Sequence, residues 1–209
     1  VAQDSEYIYG MSEFDSTTRT TKYGLINTLE TSGLITGLKF DGLNIIASEN
    51  NNFGSNKSTV ALVSENNGKL DNIQILSDAD NSSLYLIENN PSLSSSSGAY
   101  TVTFGGIVGV NKGIISNSIN NATLNYSIDT SSNNQSITQF GGIAGANYGQ
   151  IINTKNFGSL SYIKNSLNFV ANKDKLIQGI SFNIDTNAKD VLVYNVVSLG
   201  TISNTSHTN

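Results

Sequence analysis

Histidine occurs once in the 209 residues, as His207, two places before the end of the chain. A Ser-His-Asp relay needs an imidazole as its base, and a catalytic zinc site usually takes two or three of them, so neither chemistry has the residues it requires. Paired carboxylates are the next candidates, because sugar hydrolysis and lyase chemistry can run on two converging acids. Asp41, Asp71, Asp185 and Asp190 fall at different positions of the chain's internal repeat, and nothing in the pattern puts two of them on one face. Asp78 and Asp80, with Asn81 and Ser82, resemble the opening of a calcium loop. The required glycine is replaced by Ser83, and Asn89 stands where the closing glutamate belongs, so a polar loop is the simpler reading. Asp4, Glu6, Glu13 and Asp15 form an acidic stretch without repeated ligand spacing and read as a solvated leading segment. No Gly-x-Gly-x-x-Gly opens a helix, which leaves a dinucleotide site unsupported. The expectation is a chain with no catalytic residues, no metal and no cofactor.

Aromatics offer a different chemistry, stacking on sugar rings. Tyr126 and Tyr162 occupy equivalent repeat positions, and Tyr148 sits in a turn. For Tyr126 and Tyr162 a structural ladder along the repeat is the preferred reading, with sugar contact the alternative.

The elements that would position these groups are set by the repeat itself. Phe104 to Tyr126 and Phe140 to Tyr162 superimpose at an offset of 36, and 12 of the 23 positions are identical, from Phe104/Phe140 to Tyr126/Tyr162. A second copy, Val60 to Leu76, aligns with the third at an offset of 45. One frame recurs in all three: Asn66-Gly68-Asn72, Asn111-Gly113-Asn117 and Asn147-Gly149-Asn153. A glycine at a fixed point of a coil suggests a turn with positive φ, while the asparagines can pair amides with the coils above and below. Ile107, Ile115, Ile143 and Ile151 are expected to point inward. A degenerate first copy spans Tyr23 to Ala47, and a weaker last one spans Gln178 to Ile202. Alternating apolar residues broken by glycines favour short strands. A helix through Gly24, Gly33, Gly37 and Gly42 would lose about 1 kcal/mol at each.

The fold class predicted is all-β, a right-handed parallel β-solenoid of about five irregular coils with two or three short strands each. Residues 1–22 form a leading strand and cap region, 23–202 the solenoid, and 203–209 a polar tail. Insertions are expected near 48–59, 77–103, 129–139 and 164–177, of which Ser77 to Thr103 departs furthest from the repeat, and Lys164 to Ile177 is the one place for a helical turn or an insertion strand.

Composition narrows the partners. Charged residues are only 13% of the chain, net charge is −5, and Arg19 is the single arginine, which argues against nucleic acid. No stretch is apolar enough to insert in a membrane as a helix, and the absence of cysteine excludes a disulfide framework. An uncharged polar surface suits an extracellular β-rich protein. The chain opens at Val1 without a signal peptide and reads as a mature or excised piece of a longer protein.

Gly106-Ile107-Val108-Gly109 and Gly142-Ile143-Ala144-Gly145, each followed by Asn-x-Gly and an Ile-x-Asn strand, resemble the GLUG motif. The match is partial at Gly24-Leu25-Ile26-Asn27 and Ala61-Leu62-Val63-Ser64, and poor at Gly179-Ile180-Ser181-Phe182. The resemblance implies a bacterial cell-surface or secreted protein with a β-helical stalk, and an adhesin segment binding a glycan or protein of a host or neighbouring cell. It carries no catalytic residues. A structural spacer or a unit self-associating through its coil ends is the alternative expectation, and a carbohydrate-active enzyme or tailspike comes third.

Overall fold

The computed structural model describes residues 8–9, 12–17, 20–48, 57–77, 83–89, 100–130, 136–166, 177–178, 180–183 and 192–207. Among these the chain is all strand, turn and bend, with no helix. None of it is therefore a helix long and apolar enough to cross a membrane.

Short strands such as Val108–Asn111, Ile114–Ser116, Ala144–Asn147 and Gln150–Ile152 arise because glycine or asparagine interrupts the apolar run after three or four residues, so the chain must turn before a long strand can form. The pieces stack into five parallel sheets, each contributing one face of a coil. In the third coil the chain passes from Tyr100–Gly105 on the first sheet to Val108–Asn111 on the second. It continues through Ile114–Ser116 on the third and Ile119–Asn120 on the fourth to Thr123–Thr130 on the fifth. The fourth coil repeats this order with Ser136–Gly141, Ala144–Asn147, Gln150–Ile152, Lys155–Asn156 and Leu160–Ser166. The protein is a parallel β-solenoid with five short strands to the coil, not two or three.

The sequence repeat is the physical register. Phe104 pairs with Phe140, Asn111 with Asn147, Ile115 with Ile151, Asn120 with Asn156 and Tyr126 with Tyr162, all 36 apart. Asn66 and Leu70 pair with Asn111 and Ile115, 45 apart. The partial motif copies also stack, with Ile26, Val63, Val108, Ala144 and Ser181 on one rung line. At the corner before it the third coil has Gly105, Gly106 and Ile107, where the second has only Ala61 and Leu62 between Val60 and Val63.

Strands extend into stretches expected as insertions: Lys57–Val60 belongs to the first sheet and Leu84–Asn89 to the fifth. At the N-terminal end, Ile8–Tyr9 pairs parallel with Ile45 and Ile46. Ser12–Asp15 pairs antiparallel with Thr20–Tyr23 and so covers the edge of the first sheet. The start of residues 203–209 continues as the strand Ile202–His207 on the fifth sheet.

Columns of like residues fill the interior. Val60, Phe104 and Phe140 stack inward from the first sheet, and the two phenyl rings lie 4.8 Å apart at 10°. Ile107, Ile115, Ile143 and Ile151 are fully buried, as their spacing predicts. Each coil alone would leave this face wet, so burial accrues only on stacking, by about 25 cal/mol for each Å² of apolar surface covered.

A candidate binding groove above an asparagine scaffold

The nine repeated Asn and Gly positions divide into three jobs. Asn66, Asn111 and Asn147 are wholly buried and form an amide ladder through the coils. Asn66 Nδ2 donates to Asn111 Oδ1 at 2.7 Å, and Asn111 Nδ2 donates to Asn147 Oδ1 at 2.7 Å. Their remaining capacity closes the adjoining turn: Gly68 N donates to Asn66 Oδ1, and Gly149 N to Asn147 Oδ1. A buried amide is tolerated only when its donors and acceptors are matched in this way.

Gly68, Gly113 and Gly149 differ from expectation. Positive φ among the described glycines occurs at Gly37 and Gly42, not at these three. Close approach is the physical reason for glycine here. A Cβ on Gly113 would overlap the carbonyl oxygen of Gly68, and one on Gly149 would overlap that of Gly113. The positive φ falls instead to the second asparagine of each frame, at 54° for Asn72, 52° for Asn117 and 51° for Asn153. Asparagine is the side-chain-bearing residue that most readily accepts this conformation. In the first coil Gly37 takes the corresponding place, with φ of 72°. These asparagines form an outer ladder, in which Asn153 Nδ2 donates to Asn117 Oδ1 and Asn195 Nδ2 to Asn153 Oδ1.

A third amide column, Asn120 over Asn156, lines the inside of the fourth sheet. Asn120 Nδ2 also donates to the Gly142 carbonyl at 2.8 Å. A Cβ on Gly106 would overlap the Asn120 amide, so the double-glycine corner and Asn120 fit one another. In the second coil, where that corner is shorter, Ile75 occupies the place of Asn120.

With the interior filled, chemistry is confined to the outside. The first and second sheets meet at a concave angle, made close by Gly109 and Gly145. A Cβ on either would meet the methyl of a threonine on the first sheet, Thr59 or Thr103. The resulting groove has a volume of about 630 Å³. Its first-sheet wall carries Lys22, Thr59, Thr103 and Gln139, which occupy one rung line, and Thr103 Oγ1 donates to Gln139 Oε1 at 3.2 Å. Its second-sheet wall carries Glu65, Val110 and Ala146, again on one line. Lys112 and Tyr148 stand at the rim. Both are the middle residue of an Asn-x-Gly frame, the place where the scaffold requires nothing of the side chain.

Glu65 is the centre of charge in this groove. Its carboxylate lies 2.6 Å from Lys112 Nζ and 3.4 Å from Lys22 Nζ, and Lys22 Nζ also donates to Thr28 Oγ1. Burial alone would raise the Glu65 carboxyl, but the hydrogen bond and charge of Lys112, reinforced by Lys22, hold it below its usual value.

The remaining candidates are placed as follows. Tyr126 is buried, in register with Tyr162, so its ring belongs to the interior and is not available to a sugar. Asp71 is held by hydrogen bonds from Ser116 Oγ at 2.6 Å and Asn117 Nδ2 at 2.8 Å, which lower its carboxyl below the ordinary range. Asp41 lies in a strand of the fourth sheet, on the far side of the coil from the groove. Glu13 and Asp15 sit in the capping strand. Asp4, Glu6, Asp78, Asp80, Asn81, Ser82, Asp185 and Asp190 lie outside the described residues, as do Arg19, Pro91 and Ser94 to Ser97. Among the described residues no group of three or more His, Cys, Asp or Glu could hold a metal ion. The groove residues Lys22, Glu65 and Lys112 escape sequence reading because they come from three coils and share no spacing; only the free middle position of Asn-x-Gly marks Lys112 and Tyr148.

No family model, curated protein or solved structure matches this chain.

Proposed function

We propose that the chain is a non-catalytic binding module of a bacterial cell-surface or secreted protein, an adhesin segment carried on a β-solenoid. One observation supports this reading above the others. In each successive coil the chain leaves the fifth sheet and re-enters the first, so the connections spanning residues 49–56, 90–99, 131–135 and 167–176 all join the same two sheets. Variable segments anchored by a repetitive scaffold are the usual means by which such folds acquire ligands. The first sheet reached from that side is also one wall of the groove. The GLUG-like repeats and the uncharged polar surface support the extracellular setting. Among the described residues the groove lining holds a single carboxylate, Glu65, which is engaged with two lysines and so ill suited to acid catalysis.

The test is a combined glycan and host-protein array probed with the wild-type chain and with a variant whose residues 90–99 and 131–135 are replaced by Gly-Ser. Selective binding that the variant loses supports the module. A chain that binds nothing above background contradicts it.

A second reading, a spacer or self-assembling unit, is favoured by a separate observation. Leu192, Tyr194, Val197 and Leu199, on or beside the last strands of the third and fourth sheets, are 40 to 72% exposed. Sedimentation that stays monomeric at high concentration argues against assembly.

A further inference from the structure

We propose that the groove between the first and second sheets binds an acidic oligosaccharide, a glycan carrying uronate or sialate carboxylates; this deepens the binding-module reading and rests on it.

Charge is the first argument. The chain as a whole is acidic, at −5, yet among the described residues the groove lining sets Lys22, Lys57 and Lys112 against Glu65 alone. Glu65 offsets one of these three positive charges, through its pairs with Lys112 and Lys22, and the lining stays net positive. The pair also fixes the Lys112 ammonium at the rim, with its side chain 52% exposed and further N–H donors to give. An ammonium held in this way is matched by a ligand carboxylate, with which it forms a charge-assisted hydrogen bond.

Surface chemistry is the second. Tyr148 occupies the rung next to Lys112, since Lys112 N donates to the Asn66 carbonyl and Tyr148 N to the Asn111 carbonyl. Rungs of this kind lie about 4.8 Å apart. A half-buried phenol beside an ammonium offers a pyranose its two needs together, an electron-rich face for ring C–H groups and a cation for the carboxylate. Thr59, Thr103 and Gln139 supply hydroxyl and amide groups along the opposite wall, and Val110 and Ala146 give an apolar wall of small residues. A volume of about 630 Å³ lies within the range of small-ligand sites. A nucleic acid is a poorer match, because the chain has one arginine, Arg19, and a net charge of −5.

The experiment is isothermal titration of the full chain with two probes, tri-galacturonate and 3′-sialyllactose, beside the carboxyl-reduced neutral form of each. The expected result is binding of at least one acidic probe, with the neutral form weaker on the order of tenfold, the loss of one charge-assisted bond. Tyr148→Ala and Lys112→Met should each weaken the acidic probe by a similar factor and leave the thermal midpoint near that of wild type. Which probe binds separates a uronate from a sialate source. Equal binding of acidic and neutral forms, unchanged binding by Tyr148→Ala, or failure of both probes overturns the groove proposal. If the array of surface ligands still gives a hit that depends on residues 90–99 and 131–135, the binding-module reading survives that failure; without such a hit both fall.

Discussion

Asn111 and Asn147 sit 36 residues apart, wholly buried, and join side chain to side chain with Nδ2 of the first 2.7 Å from Oδ1 of the second. The bond is one link of a chain of amides running along the solenoid, because Asn66 donates to Asn111 in the same way. Each amide both gives and accepts, so each is satisfied only while its neighbours are present.

Replacing Asn111 should therefore cost more than one hydrogen bond. Asn111→Ala takes from the Asn66 amide its 2.7 Å acceptor and from Asn147 Oδ1 its 2.7 Å side-chain donor, leaving only the longer bonds to the Ile114 carbonyl and from Gly149 N, a destabilisation of roughly 2–4 kcal/mol. Asn111→Asp keeps the shape, but at neutral pH it cannot donate to Asn147 and it buries a charge. It should unfold at lower urea than the alanine variant. Equal urea midpoints for both variants and wild type would show that the ladder is incidental.

Glycine and asparagine have exchanged the roles their types suggest, and substitution can read this directly. Gly113→Ala forces a Cβ onto the Gly68 carbonyl and should cost about 1–3 kcal/mol through displacement of the coil. At Asn117, where φ is 52°, glycine should be close to neutral and alanine should cost about 1 kcal/mol. Chemical denaturation of the three variants checks the order. A neutral Gly113→Ala would contradict the close packing of coils.

Tyr85 is fully buried and its hydroxyl has no hydrogen-bond partner among the described residues. Burial pushes the phenol far above its normal titration range, so it stays neutral. Tyr85→Phe removes an unsatisfied polar atom and keeps the ring, and the urea midpoint should rise, by an amount corresponding to about 1 kcal/mol. A fall of that size would reveal a partner for the hydroxyl.

Acid should loosen the groove before the core. The Glu65 carboxyl is depressed in the folded chain, so its contribution is complete above its ordinary value of 4.5 and is lost as pH falls through the lower folded value. The pairs are partly exposed, which limits the effect to about 0.2–1 kcal/mol. Wild type minus Glu65→Gln stability, measured by urea titration from pH 7 to pH 3, should shrink below pH 4.5. A difference that does not change with pH would remove Glu65 from the balance.

What was legible in the sequence is what the scaffold repeats. The offset of 36, the stacked Asn66, Asn111 and Asn147 and the inward isoleucines all follow from identity at fixed spacing, since each coil must present the same group to the next. The conformation of Gly113 was not legible, because a glycine demanded by positive φ and one demanded by close approach look alike as letters. The groove was the least legible part. Lys22, Glu65 and Lys112 converge only after three coils stack, through positions that the scaffold leaves free.

The most direct measurement is a hydrogen-exchange footprint of the full chain with and without the strongest ligand from the array. Protection is predicted on the two sheets that wall the groove, at Lys57–Val60 and Tyr100–Gly105 on the first and Val108–Asn111 on the second. Protection confined instead to Leu192–Tyr194 and Val197–Ser198 would place the contact on the third and fourth sheets and contradict a binding module that works through the first sheet and its groove.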